Sequence, residues 1–262
     1  MTQQERLLYL IEYLKNESME WKRLEIPQNE TEQKRLLRSL MNMRPPRAIP
    51  EKFLNIQDEY LQEEQKQKKI VSLAELSPVK EGIYLWQGDI TTLQTDGIVN
   101  AANSDLLGCF VPCHGCIDNA IHSAAGIQLR LECARIMAVQ KSAEPAGKAK
   151  ITKAYNLPCR YVLHTVGPVI RGRVTKQDCD LLAGCYRSCL ELAGHYGLKS
   201  IAFCCISTGE FHFPNEKAAE IAVDTVTNYR RQTQSGLEVV FNVWKDTDYK
   251  IYRQLLCAVE TA

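Results

Sequence analysis

The residues best suited to chemistry lie in one stretch, GCFVPCHGCIDNAIH, at positions 108–122. Four potential metal ligands fall within eight positions of this stretch: Cys109, Cys113, His114 and Cys116. Thiolate and imidazole groups bind zinc, and a metal with few protein ligands keeps an open position for chemistry. Asp118, Asn119 and His122 follow directly. Because the stretch comes soon after VNAAN (99–103), it predicts an active site formed by a metal beside a polar strand end.

The same cysteines allow two other interpretations. Cys109, Cys113 and Cys116 have the C-x3-C-x2-C spacing that binds iron–sulfur clusters in radical enzymes using S-adenosylmethionine. However, Gly115 lies where those enzymes favour an aromatic residue, and the chain lacks the rest of their expected barrel. The cysteines could also be structural and metal-free, but His114 between two cysteines fits metal ligation better than core packing. We therefore expect a metal site.

Two polar segments are expected at the carboxyl ends of strands, where α/β folds bind their ligands. In QGDIT, Asp89 could accept hydrogen bonds from an exocyclic amine or a ribose hydroxyl. Taken alone, an aspartate that forms a turn or caps a helix is the favoured interpretation there. In NAANS, Asn100 and Asn103 offer donors and acceptors that suit a hydroxyl-rich ligand such as ribose, or that could satisfy their own backbone.

A third segment, ISTGEFHFP (206–214), lies between an apolar strand and a helix expected to begin near Pro214. Three small residues could present backbone N–H groups to a phosphate, as anion-binding loops do: Ser207, Thr208 and Gly209. Phe211 and Phe213 could stack on a sugar or a base. A strand-to-helix turn requires small residues in any case, so this segment indicates phosphate binding only in combination with the others.

Composition limits the class of protein. The 262 residues carry a net charge of +1, and basic residues form no stripe interleaved with aromatics, which argues against a nucleic-acid partner. No apolar run is long enough to cross a membrane, and the charged N-terminus lacks the core of a signal peptide. The 11 cysteines are odd in number and begin only at Cys109. We therefore predict a cytoplasmic protein without a disulfide framework.

Residues 1–75 differ from the rest of the chain because they contain neither glycine nor cysteine. Apolar residues recur at helical spacing in three stretches, around Leu7–Leu14, around Leu36–Met41 and over 51–66. Thr31 is predicted to cap the second helix, which should end before Pro45. We predict a helical N-terminal extension, 1–75, that packs onto a second region, 76–262.

From about residue 82 the pattern becomes strand, loop and helix. Short β-branched runs occur at 83–86, 97–100, 151–155, 161–166, 201–206 and 238–243. Helical stretches lie near 117–139, 178–196, 214–232 and 247–258. This alternation predicts an α/β domain with a mixed or mostly parallel sheet.

The order GDIT, VNAANS, a loop and helix, and then ISTGEFHFP resembles the macrodomain family of ADP-ribose-binding modules, over roughly residues 80–258. Where that family has a run of glycines after VNAANS, this chain has GCFVPCHGC. The replacement resembles the zinc-dependent class of bacterial and fungal type, hydrolases of protein mono-ADP-ribose with a helical N-terminal extension. The resemblance implies a three-layer α/β/α fold with a mixed central sheet.

The resemblance also implies the roles of individual residues. One Zn²⁺ per chain would be held by Cys109, His114 and Cys116, with Cys113 at a position that the class leaves variable. Asp118 would be the catalytic acidic residue near the scissile bond. The substrate-binding residues would be Asp89 and Ile90 at adenine, Asn100 and the also catalytic Asn103 near the distal ribose, and Ser207, Thr208, Gly209, Glu210 and Phe211 at the diphosphate and distal ribose. Two departures lie beside the phosphates: Glu210 replaces an apolar residue and His212 replaces a glycine.

Three functions fit these residues. The first is a hydrolase that releases ADP-ribose from a modified protein, with a carboxylate linkage expected because Asp118 resembles the acid of glutamate- and aspartate-specific macrodomains. The second is a reader that binds ADP-ribose without cleaving it, and the third is a deacetylase of O-acetyl-ADP-ribose. The Cys/His segment and Asp118 favour the hydrolase, since a reader requires neither. The family association suggests a lipoyl-carrier-like protein as substrate, and no residue pattern specifies an oligomeric state.

Overall fold

A computed structural model describes residues 1–257, so the last residues of the predicted 76–262 region, and the end of the helix predicted at 247–258, lie outside it. The chain begins with four helices: α1 (Gln3–Lys15), α2 (Met19–Lys22), α3 (Glu30–Met43) and α4 (Glu51–Gln67). Three of them match the predicted helices, and the single turn of α2 was not predicted.

Side-chain caps set the beginnings of these helices. Thr2 and Glu5 form a reciprocal capping box at α1. The predicted cap of α3 is wrong by two residues, because Asn29, not Thr31, precedes the helix. The Asn29 Oδ1 accepts hydrogen bonds from the backbone N–H groups of Thr31 and Glu32, at 2.8 and 3.3 Å. Thr31 itself therefore lies in the first turn, where its N–H is one of the groups that need a cap.

The apolar faces of α1, α3 and α4 form a buried cluster of their own, which also receives Ile127 from a later helix. Its members are Leu7, Leu10, Ile11, Leu14, Leu37, Leu40, Met41, Phe53, Ile56, Tyr60, Leu61 and Ile127. The extension thus has a core, and Ile127 connects that core to the rest of the chain. The boundary at residue 75 stays a prediction.

The described chain contains nine strands. They are β1 (Val71–Ser72), β2 (Pro78–Lys80), β3 (Ile83–Gln87), β4 (Leu93–Gln94), β5 (Gly97–Ala101), β6 (Ala149–Lys153), β7 (Tyr161–Thr165), β8 (Ser200–Phe203) and β9 (Glu238–Val243). Seven form a sheet in the order β2-β3-β9-β8-β5-β7-β6, and β1 pairs with β4 separately. The inner neighbours are parallel, whereas β2 and β6 run antiparallel at the two edges. The predicted mixed sheet is confirmed.

Five helices connect and cover the strands: α5 (Ile117–Ala125), α6 (Ile127–Gln140), α7 (Lys176–His195), α8 (Asn215–Thr233) and α9 (Asp246–Cys257). The helix predicted at 117–139 is broken at Gly126, whose φ of 97° lies in the region that favours glycine. The crossover from β5 to β7 runs in the opposite direction along the sheet from those through α7 and α8. Because crossovers are right-handed, α5 and α6 cover one face, and α7 and α8 cover the other.

The core of the sheet region is a second buried cluster, built from the inner strands and the helices on both faces. The strand predicted at 201–206 ends at Phe203, so Cys204 and Cys205 begin the loop that follows β8. Across residues 1–257, no helix has the length and apolar character of a membrane span.

Candidate active site

Strand order determines how the site is arranged. Because β3, β9, β8 and β5 are parallel neighbours, their carboxyl ends meet at one edge of the sheet. Asp89 follows β3, Trp244 follows β9, the segment 204–211 follows β8, and the segment 102–116 follows β5. Three interstrand steps separate β3 from β5, about 14 Å in all. The edge is therefore long enough for an extended ligand.

A cleft of about 860 Å³ lies at this edge. It brings together every predicted site residue except one: Asp89, Ile90, Asn103, Cys109, His114, Cys116, Asp118, Ser207, Thr208, Gly209, Glu210 and Phe211. The exception, Asn100, is fully buried behind the cleft wall. Residues from the segments after β3, β5 and β8, predicted from their positions at strand ends and from the family resemblance, thus line one cleft.

At the β3 end of the cleft, Asp89 forms the turn expected of it, and its predicted contact with a ligand stays a prediction. One carboxylate oxygen, Oδ1, caps the turn after β3 by accepting hydrogen bonds from the Thr91 N–H and hydroxyl at 3.0 and 2.7 Å. The other oxygen, Oδ2, lies 3.8 Å from the Lys68 ammonium group, and the Asp89 side chain is 41% exposed. Ile90 provides a buried apolar wall beside it. The turn fixes the carboxylate and leaves one oxygen free for a ligand amine.

The segment after β8 has the features of an anion-binding loop. Ser207 adopts a left-handed conformation, with φ at 65°. Among residues 1–257, no acceptor is found for the backbone N–H groups of 208–211. Gly167, after β7, packs so closely that a Cβ there would overlap the Ser207 hydroxyl. His212, where the family pattern has glycine, is left-handed at φ 57°. Unpaired N–H groups in a tight turn can receive phosphate oxygens.

Asp118 lies in the first turn of α5 and is almost fully buried in the cleft wall. The amide nitrogen of Asn100 donates to its Oδ1 at 2.8 Å, and that of Asn103 donates to its Oδ2 at 3.4 Å. Burial raises the pKa of Asp118 to about 6, although the Asn100 hydrogen bond and the Arg130 charge oppose this shift. Asp118 is therefore ionised at neutral pH and is basic enough to accept a proton.

Behind Asp118 lie two buried histidines, His122, which belongs to the stretch noted in the sequence, and His164, which no sequence pattern marked. The Asn100 Nδ2, which can only donate, lies 3.2 Å from His164 Nδ1, so that nitrogen accepts and the ring proton resides on Nε2. His164 Nε2 lies 2.9 Å from the Thr152 hydroxyl. Burial lowers the pKa of His164 to about 3 and that of His122 well below its ordinary value. Both rings are neutral, and the donors of Asn100 are fixed toward Asp118 and His164.

The predicted ligand atoms of Cys109, His114 and Cys116 all lie within 4.8 Å of one another. The His114 Nδ1 is buried and has no hydrogen-bond partner within the described chain. Burial, with the Cys109 thiol nearby, raises the pKa of Cys116 to about 12, so a cation would be needed to hold it as thiolate. Two thiols and an imidazole with an unused nitrogen form a donor set that fits Zn²⁺.

Cys113 is turned away from this group. Its Sγ lies 3.2 Å from the Ser39 hydroxyl and 3.4 Å from the Arg35 carbonyl oxygen, both on α3. A second cluster of potential ligands, His122, Cys133 and His164, is completely buried, but both nitrogens of His164 already have hydrogen-bond partners. The Cys109 group is therefore the better metal site.

Trp244 and Arg38 are two of the cleft residues that were not predicted. Trp244 is 71% exposed and follows β9, so the strand-end argument that identified Asp89 would have found it. Arg38 reaches the cleft from α3, and no local signal marks it, because a polar residue on an amphipathic helix ordinarily faces water.

The fold and the cleft define a class of α/β proteins that bind an extended ligand at the carboxyl edge of a mixed sheet. The model of the Macro domain family matches residues 99–222. A protein-ADP-ribose hydrolase of Treponema medium is 56% identical over 260 residues, which are 98% of this chain and 100% of that protein. A protein-ADP-ribose hydrolase of Staphylococcus aureus (strain MSSA476) is 49% identical over 251 residues, covering 95% and 94% of the two chains.

Among solved structures, a Trypanosoma brucei macrodomain in complex with ADP-ribose superposes with a TM-score of 0.66 at 34% identity, covering 80% of this chain and 92% of that one. The chain belongs to the Macro domain family.

Proposed function

We propose that this protein is a zinc-dependent hydrolase that removes mono-ADP-ribose from modified proteins and releases ADP-ribose. The names of the two relatives support the activity on protein-linked ADP-ribose. One observation carries the proposal: the buried Asp118 carboxylate lies in the same cleft wall as the Cys/His group and the phosphate-type loop. A reader would require the loop but not the carboxylate or the ligand group.

The cleft suits ADP-ribose along its whole length. The adenine amine would donate to the free oxygen of Asp89, with the ring against Ile90. The diphosphate would accept hydrogen bonds from the backbone N–H groups of 208–211. This order follows the strand order, since β3 and β5 lie on opposite sides of β8. It places the distal ribose near Asn103 and the Cys/His group.

In the proposed reaction, water attacks the anomeric carbon of the distal ribose and the bond from that carbon to the protein side chain breaks. Cys109, His114 and Cys116 would hold one Zn²⁺, which as a Lewis acid would polarise a sugar hydroxyl or water. Asp118 orients the water and accepts its proton. Asn100 holds the Asp118 carboxylate in place, and Asn103 aligns its other oxygen.

A carboxylate-linked substrate fits this arrangement. A carboxylate leaves without needing a proton, so a single base in the cleft wall suffices. The products are then ADP-ribose and a free aspartate or glutamate side chain. The family association makes a mono-ADP-ribosylated lipoyl-carrier-like protein the first substrate to test.

The decisive experiment measures ADP-ribose release from excess mono-ADP-ribosylated protein, together with the zinc content of the enzyme. We expect many turnovers per chain, a loss of about 10²- to 10⁴-fold in rate for Asp118→Asn, and loss of both zinc and turnover for Cys116→Ala. Stoichiometric binding without release would instead identify a reader. A faster rate on O-acetyl-ADP-ribose than on modified protein would identify a deacetylase. Wild-type rates from chelated protein and from Cys116→Ala would show that any zinc is only structural.

A further inference from the structure

Helix α3 of the N-terminal extension is in direct contact with the segment that carries the Cys/His group. The Arg38 guanidinium donates from Nε and Nη2 to the Asn119 Oδ1, at 3.1 and 2.7 Å. The Nη2 also donates to the backbone carbonyl oxygen of His114 at 3.1 Å. Arg38 therefore binds the backbone of one ligand residue directly, and it does so from within the cleft.

Asn119 also forms hydrogen bonds with other residues of the segment. Its side-chain Nδ2 donates to the Val111 carbonyl oxygen at 3.0 Å. Its backbone N–H donates to the Cys116 Sγ at 3.4 Å. Because Asn119 is fully buried, its orientation depends on these hydrogen bonds and on the two donated by Arg38. Arg38 thus holds the side chain of the residue whose backbone N–H meets the Cys116 Sγ.

Two further residues of α3 hold the middle of the segment. The Cys113 N–H donates to the Asn42 Oδ1 at 2.9 Å, and Asn42 Nδ2 donates to the Ser123 hydroxyl at 2.9 Å. The Ser39 hydroxyl lies against the Cys113 Sγ. Cys113 is left-handed, with φ at 51°, a conformation that costs a non-glycine residue free energy and persists only when neighbours hold it. The turn that presents His114 is therefore held from α3.

The segment has little support of its own. Within residues 109–116, all of which are described, a single internal backbone hydrogen bond joins the His114 N–H to the Val111 oxygen, at 3.2 Å. A short segment with so few internal bonds has many alternative conformations, and ordering it costs conformational entropy. The hydrogen bonds from α3 replace the missing internal ones.

We propose that α3 contributes to the active site, and that Arg38 is the positioning residue that orders the metal-binding segment before zinc binds. This inference rests on the proposed function where it concerns zinc. The ordering of residues 109–119 by Arg38 does not require a bound metal. Hydrogen bonds behind metal ligands typically change metal affinity or activity by about 10- to 100-fold.

The test compares Arg38→Met with a matched control, Arg6→Met. Arg6 lies on α1 of the same extension, where it pairs with Glu59 at 2.8 Å. Among residues 1–257, it forms no hydrogen bond with the metal-binding segment. Hydrogen exchange of the backbone amides of 109–119 is measured first, in zinc-free protein. We expect exchange at least about tenfold faster in Arg38→Met and unchanged in Arg6→Met, since the latter removes an arginine without touching the segment.

Two further measurements separate positioning from general stability. Zinc transfer from the loaded protein to a chromogenic chelator should be about 10- to 100-fold faster in Arg38→Met. Affinity for ADP, which lacks the distal ribose, should stay within about twofold, because the adenine and phosphate loops lie on other strands. The melting temperatures of the two variants should be similar. Turnover should then fall through kcat rather than KM.

Unchanged amide exchange together with unchanged zinc transfer in Arg38→Met would overturn the proposal. If that variant does not fold, Arg38→Lys takes its place, since lysine keeps the charge but cannot donate to Asn119 and His114 with a planar fork. A wild-type protein that retains no zinc and releases no ADP-ribose would refute the proposed function. The exchange comparison would still decide the role of Arg38.

Discussion

Replacing Arg130 with methionine should destabilise the whole protein, because this side chain joins the extension to the sheet region. Arg130 lies on α6 and its guanidinium is buried. It donates to carbonyl oxygens at the C-terminal end of α3, those of Met41, Asn42 and Arg44, at 2.9, 2.8 and 2.6 Å. It also donates to the Leu107 oxygen at 2.6 Å. Methionine matches its length but leaves these oxygens without a donor.

The magnitude follows from the contacts. The four oxygens share three N–H groups, two on Nη1 and one on Nε. Each hydrogen bond from a charged donor contributes about 1.5–3 kcal/mol, so three would sum to roughly 4.5–9 kcal/mol before other terms. Burying the guanidinium costs several kcal/mol, which is also why the pKa of Arg130 is lowered to about 10. Removing one partner from a buried charged network typically costs about 3–5 kcal/mol. We therefore expect a loss of about 4 kcal/mol in the free energy of unfolding.

Urea unfolding followed by tryptophan fluorescence and circular dichroism measures this loss. Trp21 lies in the extension and Trp86 in β3, so a protein whose two apolar clusters separate should show two transitions instead of one. The control is Arg160→Met, which removes an arginine that is paired with Asp96 but largely exposed, and should change stability by less than about 1 kcal/mol. If Arg130→Met unfolds within 1 kcal/mol of wild type and in one transition, Arg130 does not couple the two clusters.

Two further outcomes follow from close packing and from buried charge. Gly167→Ala places a methyl group on the Ser207 hydroxyl, and overpacking costs about 1–3 kcal/mol. ADP-ribose affinity measured by calorimetry should therefore fall at least about fivefold. Gly172→Ala, which meets no atom within 4 Å, should bind normally. His164 has a folded pKa of about 3, below its unfolded value, so the unfolded chain takes up the proton first and stability is lost as the pH falls. Between pH 6.5 and pH 5, protonation of His164 in the unfolded chain should remove about 2 kcal/mol from the free energy of unfolding. His164→Gln lacks this group, so its urea midpoint should fall less steeply with pH than that of wild type. An equally steep fall would contradict the lowered pKa of His164.

Most of the fold can be predicted because the apolar patterns that specify its strands and helices lie within single short segments. The inner strands and long helices have the apolar periodicity that their burial requires, and they were found within a few residues. The break at Gly126 was missed because one glycine inside a helical pattern is compatible with a continuous helix. The edge strand β2, Pro78–Lys80, was missed because three half-exposed residues carry no pattern, and its pairing with β3 is irregular.

The site is predictable to the extent that it lies at strand ends. Asp89, Asn103 and the segment after β8 were identified because α/β folds bind ligands at that edge, and all of them line the cleft. Asn100 satisfies the same rule, yet it faces inward and holds Asp118 rather than lining the cleft. Whether a strand-end side chain points into the cleft or behind it depends on the alternation of the strand and on the neighbouring helices, which a single segment does not reveal.

The contacts that order the metal-binding segment could not be predicted at all, for a physical reason. Arg38 and Asn42 lie four residues apart on α3, beside the apolar stripe of Leu37 and Met41. Polar residues in that position ordinarily face water. Here they meet a segment 71 to 81 positions away in sequence, and Asn42 is buried in the contact. A polar residue beside the apolar stripe of a helix can therefore be the partner of a loop that lacks internal hydrogen bonds. The backbone N–H and C=O groups of such a loop must find their partners elsewhere in the fold.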